Sequence, residues 1–211
     1  MEVSNFIIAG IFLHACAERI ICISSLRIKR RKMNVIEIID CYYPEDNELK
    51  NIYMIHAEAV AGFALEIARR HPELGIDEEF VYEAAMLHDI GIFLTDAPRI
   101  HCFGTEQYLC HGYLGAQLLR ERGLERHARV CERHTGTGLT KEAIAANGWN
   151  IPVKDFVPET IEEQLVCYAD KFFSKTKFLR EPRSYAQVLE SMRKISGDSV
   201  VKVEKWAGMF L

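Results

Sequence analysis

The stretch NELKNIYMIHAEAVAGFALEIARR, residues 47–70, decides the fold class. Ile52, His56, Val60, Phe63 and Ile67 recur in it at steps of three and four, the period of a helix with one buried face. A histidine on that stripe points inward. The same period persists along most of the chain that follows. Asp77 suits an N-cap, with Glu78 and Glu79 favourable in the first turn of a helix running to about Asp89. Helices are expected over 111–122, closed by Gly123, and over 125–133, stopped by Thr135-Gly136-Thr137-Gly138. Pro158 suits a first helical position, for a helix through Asp170 to about Lys175. Residues 184–195 and 199–210 read as two closing helices. No segment alternates with period two over a strand's length, so the fold class is all-α. Two long connections, 91–110 and 136–157, each follow a histidine-bearing helix end. Loops of that length are usually functional or contain short helices.

Upstream, residues 6–26 read FIIAGIFLHACAERIICISSL, followed by Arg27, Lys29, Arg30, Arg31 and Lys32. Glu18 and Arg19 interrupt what a membrane span would need, about 20 apolar residues in a row. No basic side chain precedes the apolar stretch, as a signal peptide requires. Residues 1–32 therefore read as a leader ahead of Met33 or as a docked helix, and 33–211 as the folded domain. Twenty-six basic against thirty acidic side chains give a net charge of −4, which argues against a nucleic-acid-coating protein. Neither a nucleic-acid partner nor a membrane span is expected. The seven cysteines are odd in number and none is spaced as CxxC, which fits free thiols in a reducing cytoplasm. A chain of 211 residues can fold on its apolar core alone, so any metal here would serve chemistry.

The chemistry lies in a conjunction. His14, His71 and His127 read as ordinary core or surface residues, and His101 is ambiguous in its loop. His56, His88-Asp89, His134 and Asp170 are different, because they fall on inward faces or ends of separate helices. Asp170 sits inside LVCYADKFF, where an unpaired carboxylate would cost several kcal/mol unless compensated. A metal ion compensates it, and imidazole with carboxylate suits zinc, iron or manganese. Helical bundles build metal sites in this way, from side chains on facing helices.

These residues carry a family resemblance. His56, then His88-Asp89-Ile90-Gly91, then Asp170 within Ala169-Asp170-Lys171 resembles the HD superfamily of metal-dependent phosphohydrolases, over roughly residues 47–177. With His111 and His134-Thr135-Gly136 added, it is similar to the six-ligand dinuclear subgroup. The resemblance implies an HD-domain helical bundle holding two divalent ions, iron or manganese. His56, His88, Asp89 and Asp170 would hold one ion, and His111 and His134 the other. Asp89 would bridge them, since a neutral imidazole cannot. It implies hydrolysis of a phosphate ester or anhydride of a nucleotide or similar small molecule by a metal-bridging hydroxide, with Asp89 and Lys171 in catalytic roles. Glu58 and Glu132 are candidate acceptors for the outer ring N–H groups of the histidines.

The chain departs from the family pattern at Ile92, where many members place a lysine after HDIG. Lys171, Arg133, Lys175 or Lys177 would have to supply that charge. Arg133, Thr135 and Lys175 are the candidate substrate-binding residues, and Asp96, Arg99 and Lys141 further pocket candidates. Two other readings share the ligand set: an HD-fold di-iron oxygenase, and a non-catalytic regulatory module with a structural metal. The oligomeric state is not encoded in any motif.

Overall fold

Most helices of the computed structural model start where a side chain can satisfy their first free N–H groups; the two that open at His111 and Glu125 lack such a cap. The model describes residues 33–177 and 180–211, so the leader or docked helix read over 1–32 lies outside the described residues. Asn34 caps α1 (Val35–Tyr42), Asn47 caps α2 (Glu48–Arg70), and Asp77 caps α3 (Glu78–Leu87) through Phe80 N at 3.1 Å. A two-residue hairpin follows, β1 (Asp96–Ala97) against antiparallel β2 (Cys102–Phe103). The expectation of no strand is corrected to that extent; two residues are too few to show a period. Then come α4 (His111–Glu121), α5 (Glu125–Arg133), α6 (Lys141–Asn147), α7 (Ile161–Asp170), α8 (Tyr185–Arg193) and α9 (Gly197–Phe210). The fold is all-α. No described helix is long and apolar enough to cross a membrane.

Three sequence expectations are adjusted, and one long connection holds a short helix, as its length suggested. Helix α7 starts at Ile161 rather than Pro158, because Thr160 and Glu163 form a reciprocal capping box and Glu163 also accepts from Glu159 N at 2.7 Å. It stops at Asp170, not Lys175, which frees residues 171–177 from the helix. Helix α9 starts at Gly197, one residue after the Ser196 cap and earlier than expected. The 136–157 connection contains α6, clamped by an antiparallel bridge between Leu139 and Phe156.

The core forms where α2 packs on α3 and α7, and α5 packs on α4 and α7. Asn34–Leu211 is one compact unit. Two contacts bring backbones unusually close. A Cβ at Gly91 would lie 2.4 Å from Gly115 N and 2.5 Å from His111 O, so the turn after α3 sits directly on α4. A Cβ at Gly112 would meet Cys131 O at 2.5 Å, so α4 also sits directly on α5. Glycine at these positions lets helix termini from separate parts of the chain converge. His127 is a satisfied structural histidine, packed edge-on against Phe80 and 3.3 Å from Glu83.

Candidate metal centre

Three histidines stand at helix ends. His88 follows α3, His111 opens α4 and His134 follows α5. Each is buried, and each turns Nδ1 toward the carbonyl three residues upstream: Ala85 O at 2.6 Å, Tyr108 O at 2.6 Å and Cys131 O at 2.7 Å. A carbonyl only accepts, so Nδ1 carries a proton and Nε2 is the ring nitrogen left facing inward. Ala85 and Cys131 lie in the last turns of α3 and α5, whose carbonyls lack helical N–H partners, whereas Tyr108 lies in the single turn of 3-10 helix before α4. The acceptors expected at Glu58 and Glu132 are therefore corrected. Glu58 is exposed, and Glu132 is held by Arg120 at 2.9 Å.

The Nε2 atoms converge on Asp89, only 1% exposed, and its two oxygens face different groups. Oδ2 lies 3.3 Å from His56 Nε2 and 3.2 Å from His88 Nε2. Oδ1 lies 3.2 Å from His111 Nε2 and 3.4 Å from His134 Nε2. Asp170, at the end of α7, completes the Oδ2 side, with Oδ1 at 3.1 Å from His56 and 3.6 Å from His88. All six residues of the expected set are thus brought together. His56, His88 and Asp170 form one group that could hold a metal, and His88, Asp89 and His134 another.

The donor arrangement fits a cation. His111 Nε2 and His134 Nε2 face each other at 3.0 Å, both with Nδ1 engaged as donor. Two lone pairs at that separation repel unless a proton or metal ion lies between them. His88 Nε2 and both Asp89 oxygens are buried without a well-formed hydrogen bond, an arrangement that costs free energy when uncompensated. Burial opposes charge on the His88 ring, but Asp89 and Asp170 outweigh it and hold the imidazole up at about 9. Burial pushes His134, on the other side, down to about 3. Burial also opposes ionisation of Asp89 and Asp170, yet His88 and Lys175 beside Asp89, and Lys171 beside Asp170, hold both carboxylates well below their usual range.

Lys171 Nζ binds Asp170 Oδ2 at 2.7 Å and His134 O at 3.2 Å. Lys175 Nζ reaches Asp89 Oδ2 at 2.5 Å. Buried thiols support the same backbone: Cys131 Sγ donates to His88 O at 2.9 Å, and Cys167 Sγ to His134 O at 3.3 Å.

Above this cluster opens a cavity of about 490 Å³. His111, His134, Thr135, Asp170, Lys171 and Lys175 line its floor and near wall. The Thr135 hydroxyl is buried beside Gly112 of α4, without a hydrogen-bond partner. Of the other loop candidates, Arg99 lines the cavity, whereas Asp96, Lys141, His101 and Lys177 are exposed elsewhere. Arg133 does not line it, because its guanidinium is taken up by Val157 O at 3.0 Å and Glu159 at 2.9 Å. The 136–157 connection contributes only Gly136. Sequence reasoning missed the outer wall, formed by Tyr108, Phe173, Arg183, Met192 and Ile195. No motif marks these residues; they come from separate segments, Tyr108 from the turn before α4, Phe173 and Arg183 from the connection after α7, and Met192 and Ile195 from the end of α8 and just beyond it.

A family model described as the HD domain matches residues 53–174. An uncharacterised protein of Methanocaldococcus jannaschii is 39% identical over 125 residues, covering 58% of this chain and 66% of that one. A protein of Picrophilus torridus named tRNA (cytidine(56)-2'-O)-methyltransferase is 36% identical over 125 residues, 59% of this chain and 32% of its own length. One of the same name from Thermoplasma volcanium is 33% identical over 144 residues, 67% of this chain and 37% of its own. The match thus spans about a third of each methyltransferase-named relative. No solved structure matches.

Proposed function

Because the chain belongs to the HD-domain family, we propose that it is a metal-dependent phosphohydrolase acting on a phosphate ester or anhydride of a nucleotide or similar small molecule. The observation that carries this reading is the convergence of four histidine Nε2 atoms with the Asp89 and Asp170 carboxylates in one buried cluster, a donor set that suits a divalent ion. In this reading His56, His88, Asp89 and Asp170 would hold one divalent ion, and His111 and His134, with Asp89 shared, a second, iron or manganese in each case. When bound, such a pair lowers the pKa of water and neutralises charge on phosphoryl oxygens.

The chain's own groups then divide the remaining work. The three Nδ1–H contacts fix ring orientation, so that Nε2 stays aimed inward without rotamer search. Lys171 is a positioning residue that holds Asp170 by its outer oxygen. Arg99, Lys175 and Arg183 give the cavity its cationic lining, which favours an anionic phosphate and replaces the charge absent at Ile92. Thr135 lines the same cavity. Ile100, Phe173 and Met192 provide apolar surface for the rest of the substrate. The methyltransferase name belongs to relatives of which about a third is matched, and it assigns no methyl transfer to this module.

The test combines metal analysis with a substrate panel. Anaerobically purified protein should carry close to two ions per chain. Phosphate esters and dinucleotide polyphosphates with added manganese or iron should be turned over, and Asp89→Ala should abolish it. Silence across that panel with O₂ uptake by the reduced protein would replace this reading with the di-iron oxygenase. Silence in both assays with metal retained would leave a regulatory module.

A further inference from the structure

The hydrolase reading uses Lys175 as a cavity cation but does not explain why its ammonium sits on Asp89. It belongs to the non-helical segment between α7 and α8, yet its side chain, 11% exposed, descends to Asp89 Oδ2 at 2.5 Å. The same Asp89 oxygen faces His56 and His88. The Tyr108 hydroxyl, at the cavity wall, is the ammonium's other neighbour. An ammonium and a divalent ion cannot share one carboxylate oxygen cheaply. Like charges a few ångströms apart in a partly desolvated site repel strongly, and nothing but Asp89 and Asp170 lies there to offset them.

We infer that Lys175 is a built-in counter-ion for Asp89, which a divalent cation displaces into the cavity, where the ammonium meets the substrate's phosphate. The inference rests on the metal-binding reading above. The local structure permits the movement. Residues 174–177 form no helix or strand, and the hydrogen bond of Thr176 N runs only to Ser174 Oγ, within the segment. The displaced ammonium has a destination, because Lys175 already lines the cavity together with Arg99 and Arg183. Metal loading would thereby also build the phosphate site: without metal, Asp89 occupies the ammonium; with metal, the ammonium is released to bind substrate.

Two measurements test this. Chelator-stripped protein is titrated with Mn²⁺ by calorimetry, wild type beside Lys175→Met. Removing the competing charge should tighten Mn²⁺ binding by about tenfold or more, while kcat/KM for a phosphate ester falls. Tighter metal with poorer turnover is a pairing that a merely structural lysine would not give. In the wild type, labelling of Lys175 by an amine-reactive reagent, read by mass spectrometry, should rise several-fold on adding Mn²⁺. If the variant does not fold, that labelling decides alone. Equal or weaker Mn²⁺ binding by a folded variant, or labelling unchanged by Mn²⁺, overturns the displacement. Absence of Mn²⁺ binding by the wild type itself overturns the metal reading, and the displacement with it.

Discussion

The two sides of Asp89 are built from different materials. On the Oδ2 side stand two histidines, a second carboxylate and the Lys175 ammonium; on the Oδ1 side stand only His111 and His134. The first side draws on α2, α3 and α7, which pack through broad apolar faces. The second depends on α4 being pressed against both the 88–91 turn and α5, where glycine alone fits. Two anionic groups bind a cation more strongly than one shared carboxylate and two neutral rings, so the Oδ2 side should be the tighter site once Lys175 has left it. The Oδ1 side should be the weaker and the more sensitive to packing.

Asp89→Asn should have the largest effect, since it serves both sides. Metal content should fall toward zero and turnover by about 10³-fold or more, checked by elemental analysis and steady-state kinetics. The next largest effect should separate the sides. His111→Ala or His134→Ala should leave one ion per chain, with the Oδ1-side affinity lowered roughly 10–100-fold or lost, whereas His56→Ala should empty the Oδ2 side first. Loss of both ions at once in all three variants would mean the sides are not separable. Stepwise removal of metal by a chelator should show the same order, with the first ion leaving at lower chelator than the second. Gly91→Ala should cost roughly 1–3 kcal/mol in urea unfolding, because the new Cβ meets α4 backbone, and should weaken the Oδ1 ion more than the Oδ2 ion. The smallest effect on catalysis is expected for Arg133→Ala. It should lower stability by about 1 kcal/mol, through Val157 O, Glu159 and Glu163, and leave kcat/KM unchanged.

Much of the ligand floor was readable from the chain. His56 on a three-and-four stripe, and His88-Asp89 and Asp170 in otherwise apolar helix ends, are local patterns that burial makes costly unless something compensates them. The partners of those histidines were not readable. Glu132 looked a suitable acceptor beside Arg133, but the distant Arg120 claims it, and the real acceptors are main-chain carbonyls that exist only once the helix ends are set. Arg133 looked like a phosphate ligand for the same reason: its sequence neighbours could not reveal the ion pairs it makes with Glu159 and Glu163. The early end of α7 had a larger consequence. Carried to Lys175, the helix would have placed that lysine on its outer turns; stopped at Asp170, the chain brings Lys175 down onto Asp89.

The sequence by itself determined the helical class and set apart His56, His88, Asp89, His134 and Asp170; His111 joined them only through the family resemblance. Apolar period and the cost of burying charge act within a few residues of one another. Tertiary structure alone decided which oxygen of Asp89 faces which histidine, which cations reach the cavity and where its outer wall lies. Those depend on backbone approach at Gly91 and Gly112 and on the ends of α7 and α8 lining one cavity, relations between segments far apart in the chain.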